Sequence, residues 1–398
     1  MKWASTVYTG STDIQGLDSA IEKLLQDLDA EQCDLLFLFV SPHFKSQYSQ
    51  IAERILVRLS PTTMIGCSGM AVIGGGEEVE HAPALSLIAA TLPGVTCHAV
   101  YTDAVDLPDN DAPPEQWKEW LGLSTVQEAD FVLLADPFST PVEQVVLGID
   151  YAFPQATVVG GLASAAGKAR ENAIFLNDQI YRDGMVALAL HGNIQLDAIV
   201  AQGCKPIGEP LTVTCCNHNI LLEANGKQPV QLLEELIHSL DEYDRNLLQT
   251  SLFLGLEMTP FNSPPQQGGF LVRNLLGIDY EHGSMAVGAL LHEGQVVQFH
   301  LRDKLTSALD LDIMLSQYLM DEQTGNAAGA LLFSCLGRGE QLYGTPNHDS
   351  DRFASRIGNV PLAGFFCNGE IGPVGPSTYV HGYTSSFGIF RPRTSTSA

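Results

Sequence analysis

Asp34-LLFLFV-Ser41 decides the fold class: a short unbroken apolar run with polar residues at both ends. A strand with one wet face alternates polar and apolar residues, so such a run points to a strand covered on both faces, as in a parallel sheet flanked by helices. The run recurs as Asp130-FVLLAD-Pro137 and Gly329-ALLFSCLG-Arg338. Each is followed by apolar residues at helical spacing: Phe44, Tyr48, Ile51, Ile55 and Leu59, then Val142, Val145, Val146, Ile149 and Phe153, then Phe353 and Ile357. A small-residue turn comes next at a similar offset: Ile65-GCSGMAVIGGG-Glu77, Val159-GGLASAAG-Lys168 and Ala363-GFFCNGEIGP-Val374. Apolar return strands follow near 84–93, 184–191 and 385–391. Strand, helix and turn in this order form a β-α-β crossover. The expectation is an α/β fold of mixed, largely parallel sheets with repeated β-α-β units in two packed modules.

At 398 residues the chain exceeds the size at which a single core stops growing, which suits two modules. A domain boundary is expected near residue 220, giving modules over 1–219 and 220–390 and a flexible tail over 391–398. Between the second and third copies, Leu211–Cys215 and Ile220–Gln228 read as a strand pair with an Asn-Gly turn. Residues 230–248 and 306–320 have helical spacing, 261–270 is a Pro/Gly loop, and Ala286–Arg302 reads as a hairpin around Glu293-Gly294.

Acidic residues outnumber basic ones 46 to 20, a formal net charge of -26, so nucleic acid and anionic membranes are repelled. No apolar run is long enough for membrane insertion, and the N-terminal stretch lacks the apolar core of a signal peptide. Eight scattered cysteines do not make a disulfide scaffold in a chain this long. The sequence therefore reads as a soluble cytoplasmic protein with free thiols.

Taken together, LFVSPHF, IGCSGMAVIGGGEEVEHAPALSL, GLASAAGK and QGCKPIGEPLTVT, then LLFSCLGRG and PLAGFFCNGEIGPVGPSTYVHGYTSSF, resemble the FIST family of sensory proteins over about residues 30–385. The two modules resemble FIST N and FIST C in order. The resemblance implies an intracellular input domain that binds a small ligand such as an amino acid and signals through a separate protein partner. Some relatives are haem-binding nitric oxide sensors, which keeps haem as an alternative cofactor.

The candidate site residues lie at the turns. Gly66 and its neighbours either let a ligand approach the backbone or make tight turns, and open α/β sheets bind ligands at strand carboxyl ends. Arg338, directly after the third run, can fork onto a ligand carboxylate or form a structural salt bridge. Glu370 can accept a ligand ammonium group or cap loop amides. With Asn368, Gly369 and Ser68 as hydrogen-bonding neighbours, Arg338 and Glu370 suit a zwitterion. Cys67, Cys335 and Cys367 are either buried thiols or, with a base such as His381 or His348, nucleophiles of an enzyme in the same pocket. No catalytic motif, phosphate loop or zinc spacing occurs, so the expectation is a protein that is not an enzyme and has no catalytic or metal residues. His43 and His381 are the haem-ligand candidates.

Overall fold

The computed structural model describes residues 1–29, 32–103, 105–109, 111–258, 269–320 and 326–393. Most of the Pro/Gly loop and residues 394–398 of the expected tail lie outside them, while Arg391 ends a buried strand. The chain forms two compact units. One comprises Met1–Val200, Asp312–Pro373 and Ser377–Ala398, and the other Ala201–Leu311 and Val374–Pro376. These cuts do not coincide with a boundary at 219/220.

The larger unit holds three six-stranded sheets. In spatial order the first runs Lys2–Thr9, Ala84–Thr91, Leu35–Val40, Thr63–Ser68, Ile174–Leu176, Gln179–Tyr181. Only the crossover strands Leu35–Val40 and Thr63–Ser68 are parallel there. Among the ladders of defined register, the second and third sheets likewise have one parallel pair each, Asp130–Ala135 with Val158–Leu162 and Gly329–Cys335 with Leu362–Cys367. Every other ladder of defined register in the three sheets is antiparallel.

This corrects the expected fold class: the sheets are not largely parallel, and the architecture is strand-based rather than a series of β-α-β units. The cause is physical. An unbroken apolar run reports burial of both faces, not strand direction. Phe37 and Phe39 point into a core cluster shared by all three sheets, with Val132, Leu134, Leu331 and Phe333. Leu36, Leu38 and Val40 face the helices Leu17–Leu28 and Tyr48–Leu59 instead.

The repeated unit is an edge strand, a crossover pair, a two-stranded hairpin and a return strand. Each hairpin is donated to another copy's sheet. Residues 72–79 of the first repeat pair with Leu362–Cys367 of the third, 174–181 of the second with Thr63–Ser68 of the first, and Glu370 and Ile371 of the third with Val158–Leu162 of the second. Gly66, Gly160 and Gly364 occupy equivalent places, in register with Leu38, Leu133 and Leu332. A side chain at any of the three would run into the carbonyl oxygen of that partner. Their glycine identity therefore comes from close strand packing.

In chain order, the third repeat is interrupted between its edge strand and its crossover. The smaller unit, inserted there, is a closed barrel ordered Lys205–Asn217, Ile220–Ala224, Ser284–Val287, Phe270–Asp279, Leu252–Glu257, Val296–Leu301. Ser284–Val287 and Val296–Leu301 pair with other strands, so the hairpin read at 286–302 is corrected. The Asn225-Gly226 turn closes Ala224 onto Lys227, beyond the strand pair it was expected to join.

Candidate functional site

The carboxyl ends of the three crossovers differ in chemistry. At the first, the Ala84 amide donates to Ser41 Oγ, and Ser41 N donates to the Ala84 carbonyl. At the second, buried Asp136 accepts from Ser139 Oγ at 2.8 Å and Asn172 Nδ2 at 3.0 Å. Only at the third, among the described residues, does a buried ion pair lie at the strand end.

There Gly337 and the positive φ of Gly339 turn the chain out of the strand, placing Arg338 at the N-terminus of the short helix Gly339–Tyr343. Arg338 is wholly buried. Its Nε and Nη2 donate to the two carboxylate oxygens of Asp349 at 2.8 and 3.0 Å, and Nη1 donates to the Tyr383 carbonyl at 3.3 Å. Asp349 begins the helix His348–Ile357 and also accepts from the hydroxyls of Ser334 and Ser385. Arg352 Nε donates to His348 Nε2 at 3.0 Å, which puts the imidazole proton on Nδ1, 3.1 Å from Asp349. The Tyr343 ring stacks on the His348 ring with centroids 3.3 Å apart. Burial alone would raise the Asp349 pKa, but the Arg338 charge and these hydrogen bonds hold it far below the ordinary carboxylate range.

The first repeat's donated hairpin brings a second acid to the cluster. Glu78 is 6% exposed, and its Oε1 accepts the Ser350 amide at 2.7 Å. Burial, then repulsion from Asp349, pushes its carboxyl up to about 8. One carboxylate fixed as the anion and another held as the neutral acid therefore sit in one cluster, an arrangement that concentrates at functional sites. Glu80, beside them, accepts the Glu340 amide at 2.8 Å.

Glu370 is fully buried and its Oε2 accepts the Thr384 amide at 3.1 Å. Arg338 and Glu370 are thus joined through consecutive residues of one turn, Tyr383 and Thr384. Gly369 is buried, its Cα facing Leu162, and Asn368 is exposed. The structure gives the guanidinium of Arg338 the salt-bridge partner that was one of its two readings.

Three candidates are buried in the strand Thr63–Ser68 of the first sheet. Gly66 packs on Leu38 as described. Ser68 accepts the Ala173 amide at 2.8 Å and is fully buried. Cys67 is fully buried in the shared core, and burial raises its thiol well above the ordinary value. Cys367 is likewise buried and raised, first by burial and then by Glu370, so neither is an activated nucleophile. Cys335 is partly exposed at the end of its strand, with the Gly337 amide donating to its sulfur at 3.4 Å.

The two haem candidates sit in different settings, one exposed and one buried. His43 is exposed on the turn Pro42–Phe44 with Nδ1 3.1 Å from Ser41 Oγ, and His381 is buried with Nε2 3.0 Å from the Gly372 carbonyl. Among the described residues no group of three or more His, Cys, Asp or Glu side chains could hold a metal ion, and no helix is long and apolar enough to cross a membrane.

Sequence reasoning missed Glu78, Asp349, Ser334, Ser385 and Tyr343, and named His348 only as a possible base for a cysteine. Asp349 stands at the start of the helix that the sequence marks only by Phe353 and Ile357. Glu78 lay in an acidic run, Glu77-Glu78-Val79-Glu80, that gave no sign of which carboxylate is buried.

The FIST N domain model matches residues 34–227 and the FIST C domain model residues 229–373. An uncharacterised protein of Mycobacterium tuberculosis is 30% identical over 358 residues, covering 89% of this chain and 91% of its own. One of Mycobacterium bovis is 30% identical over 370 residues, covering 92% of each. An F-box/LRR-repeat protein of Arabidopsis thaliana is 24% identical over 266 residues, 58% of this chain and 49% of that one. A solved cyanuric acid hydrolase from A. caulinodans is similar at 9% identity over 98% of this chain and 99% of its own, with a TM-score of 0.30. Two adjoining family models and full-length relatives at 30% identity place this chain in the FIST family, whose domains are associated with sensory signal transduction.

Proposed function

We propose that the chain is a sensory protein, not an enzyme, that takes up an amine-bearing metabolite such as an amino acid at the carboxyl end of the third crossover and signals through a separate protein. The observation that carries this reading is the asymmetry among three otherwise equivalent strand ends: among the described residues a buried ion pair, with two further buried acids, lies only at the third. Ionisable groups are costly to bury, and the first two repeats show that the strand end can be closed without an ion pair.

Glu370 is the group offered to the ligand ammonium. Arg338 does not act as a carboxylate clamp in this reading, because Asp349 already takes both prongs of its fork. Its role is to hold Tyr383, next to the residue that fixes Glu370. Signalling follows if the ligand prefers one arrangement of this turn, since a ligand shifts a conformational equilibrium only by its differential affinity.

A thermal-shift screen of amino acids, amines, organic acids and haem tests the reading. A compound that binds the folded state raises the melting temperature with the logarithm of its concentration. Amine-bearing compounds should do so. A shift from organic acids or haem alone would overturn the ligand class.

A further inference from the structure

The geometry points to Cys335 and Cys367 as a peroxide-oxidisable dithiol. The two residues are register partners in the parallel pair Gly329–Cys335 with Leu362–Cys367. Cross-strand partners point to the same face, and here the preceding partners on that face, Leu331 with Ala363 and Phe333 with Phe365, all enter the shared core. Neighbouring strands lie roughly 4.8 Å apart, inside the roughly 4.4–6.8 Å Cα range that a disulfide spans. The two cysteines therefore leave neighbouring strands from paired positions on one face at the end of the sheet, and no disulfide links any cysteine in the structure.

Their surroundings divide the chemistry between them. Cys335 is partly exposed, takes a hydrogen bond from the Gly337 amide at 3.4 Å and interacts electrostatically with the Arg338 guanidinium. The exposure of Cys335 puts it within reach of a dissolved oxidant, which reacts with the thiolate form. Cys367 is fully buried, donates to the Phe365 carbonyl at 3.4 Å and is shielded from solvent oxidants. One thiol is placed to meet an oxidant and the other to resolve the product.

Hydrogen peroxide is the co-reactant. The Cys335 thiolate attacks one peroxide oxygen, the O–O bond breaks, and the departing hydroxide takes a proton and leaves as water. Cys335 is then a sulfenic acid. The Cys367 sulfur attacks it, the S–O bond breaks, and the Cys367 proton leaves with the oxygen as a second water. Two thiols become one disulfide, losing two electrons and two protons, and one peroxide becomes two waters. The new bond ties the strand end, one turn from Arg338, to its neighbour.

The test treats the full chain with hydrogen peroxide and measures intact mass and non-reducing tryptic peptides. The expected product is lighter by two hydrogens, carries a peptide linking Cys335 to Cys367, and reverts with dithiothreitol. It has two fewer titratable thiols than the eight of the reduced chain. Cys335→Ser should abolish the link and Cys67→Ser should leave it. A link between Cys367 and Cys67, or oxidation of Cys335 to sulfinic acid with no link, would overturn the assignment. The peptide map of the unsubstituted chain gives this answer whether or not any variant folds.

Discussion

Asp349 accepts both prongs of the Arg338 guanidinium, at 2.8 and 3.0 Å, where neither residue is more than 1% exposed. Removing one partner of such a pair leaves the other charge buried and uncompensated. Asp349→Ala should therefore lower unfolding free energy by about 3–5 kcal/mol, read from urea denaturation. Arg338→Met combined with Asp349→Leu should cost less than Asp349→Ala alone. A double variant weaker than the single one would mean that the pair contributes through more than its charges.

Glu78 gives stability a pH dependence of definite sign. Its carboxyl titrates near 8 in the folded chain against an ordinary 4.5. Between those values the folded state holds a proton that the unfolded state has released, so this group makes stability fall as pH rises. Glu78→Gln keeps the shape of the neutral acid. The melting temperature of the variant, relative to the unsubstituted chain, should climb through that window and level off above it. A difference independent of pH would show that Glu78 is not held as the acid.

His300, in the barrel, acts in the opposite direction. Burial lowers its pKa from 6.5 to about 4, so the unfolded state binds the extra proton in that window. Stability from this residue is present above pH 6.5 and is lost as pH falls toward 4. A His300→Gln variant should unfold with less acid sensitivity between those values, as followed by far-ultraviolet circular dichroism.

The three equivalent glycines make a prediction that separates packing from binding. Gly66→Ala, Gly160→Ala and Gly364→Ala should each destabilise the protein by about 3 kcal/mol, since the added carbon must push apart two hydrogen-bonded strands. Gly167→Ala, with nothing within 4 Å of the new carbon, should stay within about 0.5 kcal/mol. Near-neutral unfolding of the first three variants, by urea titration, would remove the packing explanation.

Much of the strand and helix inventory was legible because the runs at residues 35–40, 131–136 and 330–335 are buried on both faces and their helices keep one apolar stripe. Strand direction was not, because Leu36 and Phe37 read the same whether their neighbour runs parallel or antiparallel. Nor was the exchange of hairpins: Val72–Gly74 pairs with a strand about 290 residues further on, and no local pattern encodes that partner. The site was half legible. Arg338 and Glu370 stand out as charges among glycines and apolar residues. Glu78 reaches them through the exchanged hairpin and Asp349 through a helix start, so both depend on contacts that only the folded chain makes.

The central claim, that the third crossover end receives an amine-bearing ligand at Glu370, is tested most directly by isothermal titration of an amino acid identified by the thermal screen into the unsubstituted chain and Glu370→Gln. The variant keeps an acceptor for the Thr384 amide and loses the charge. The account predicts unchanged melting temperature without ligand and at least tenfold weaker binding, about 1.4 kcal/mol. Equal affinity in the two proteins would contradict it.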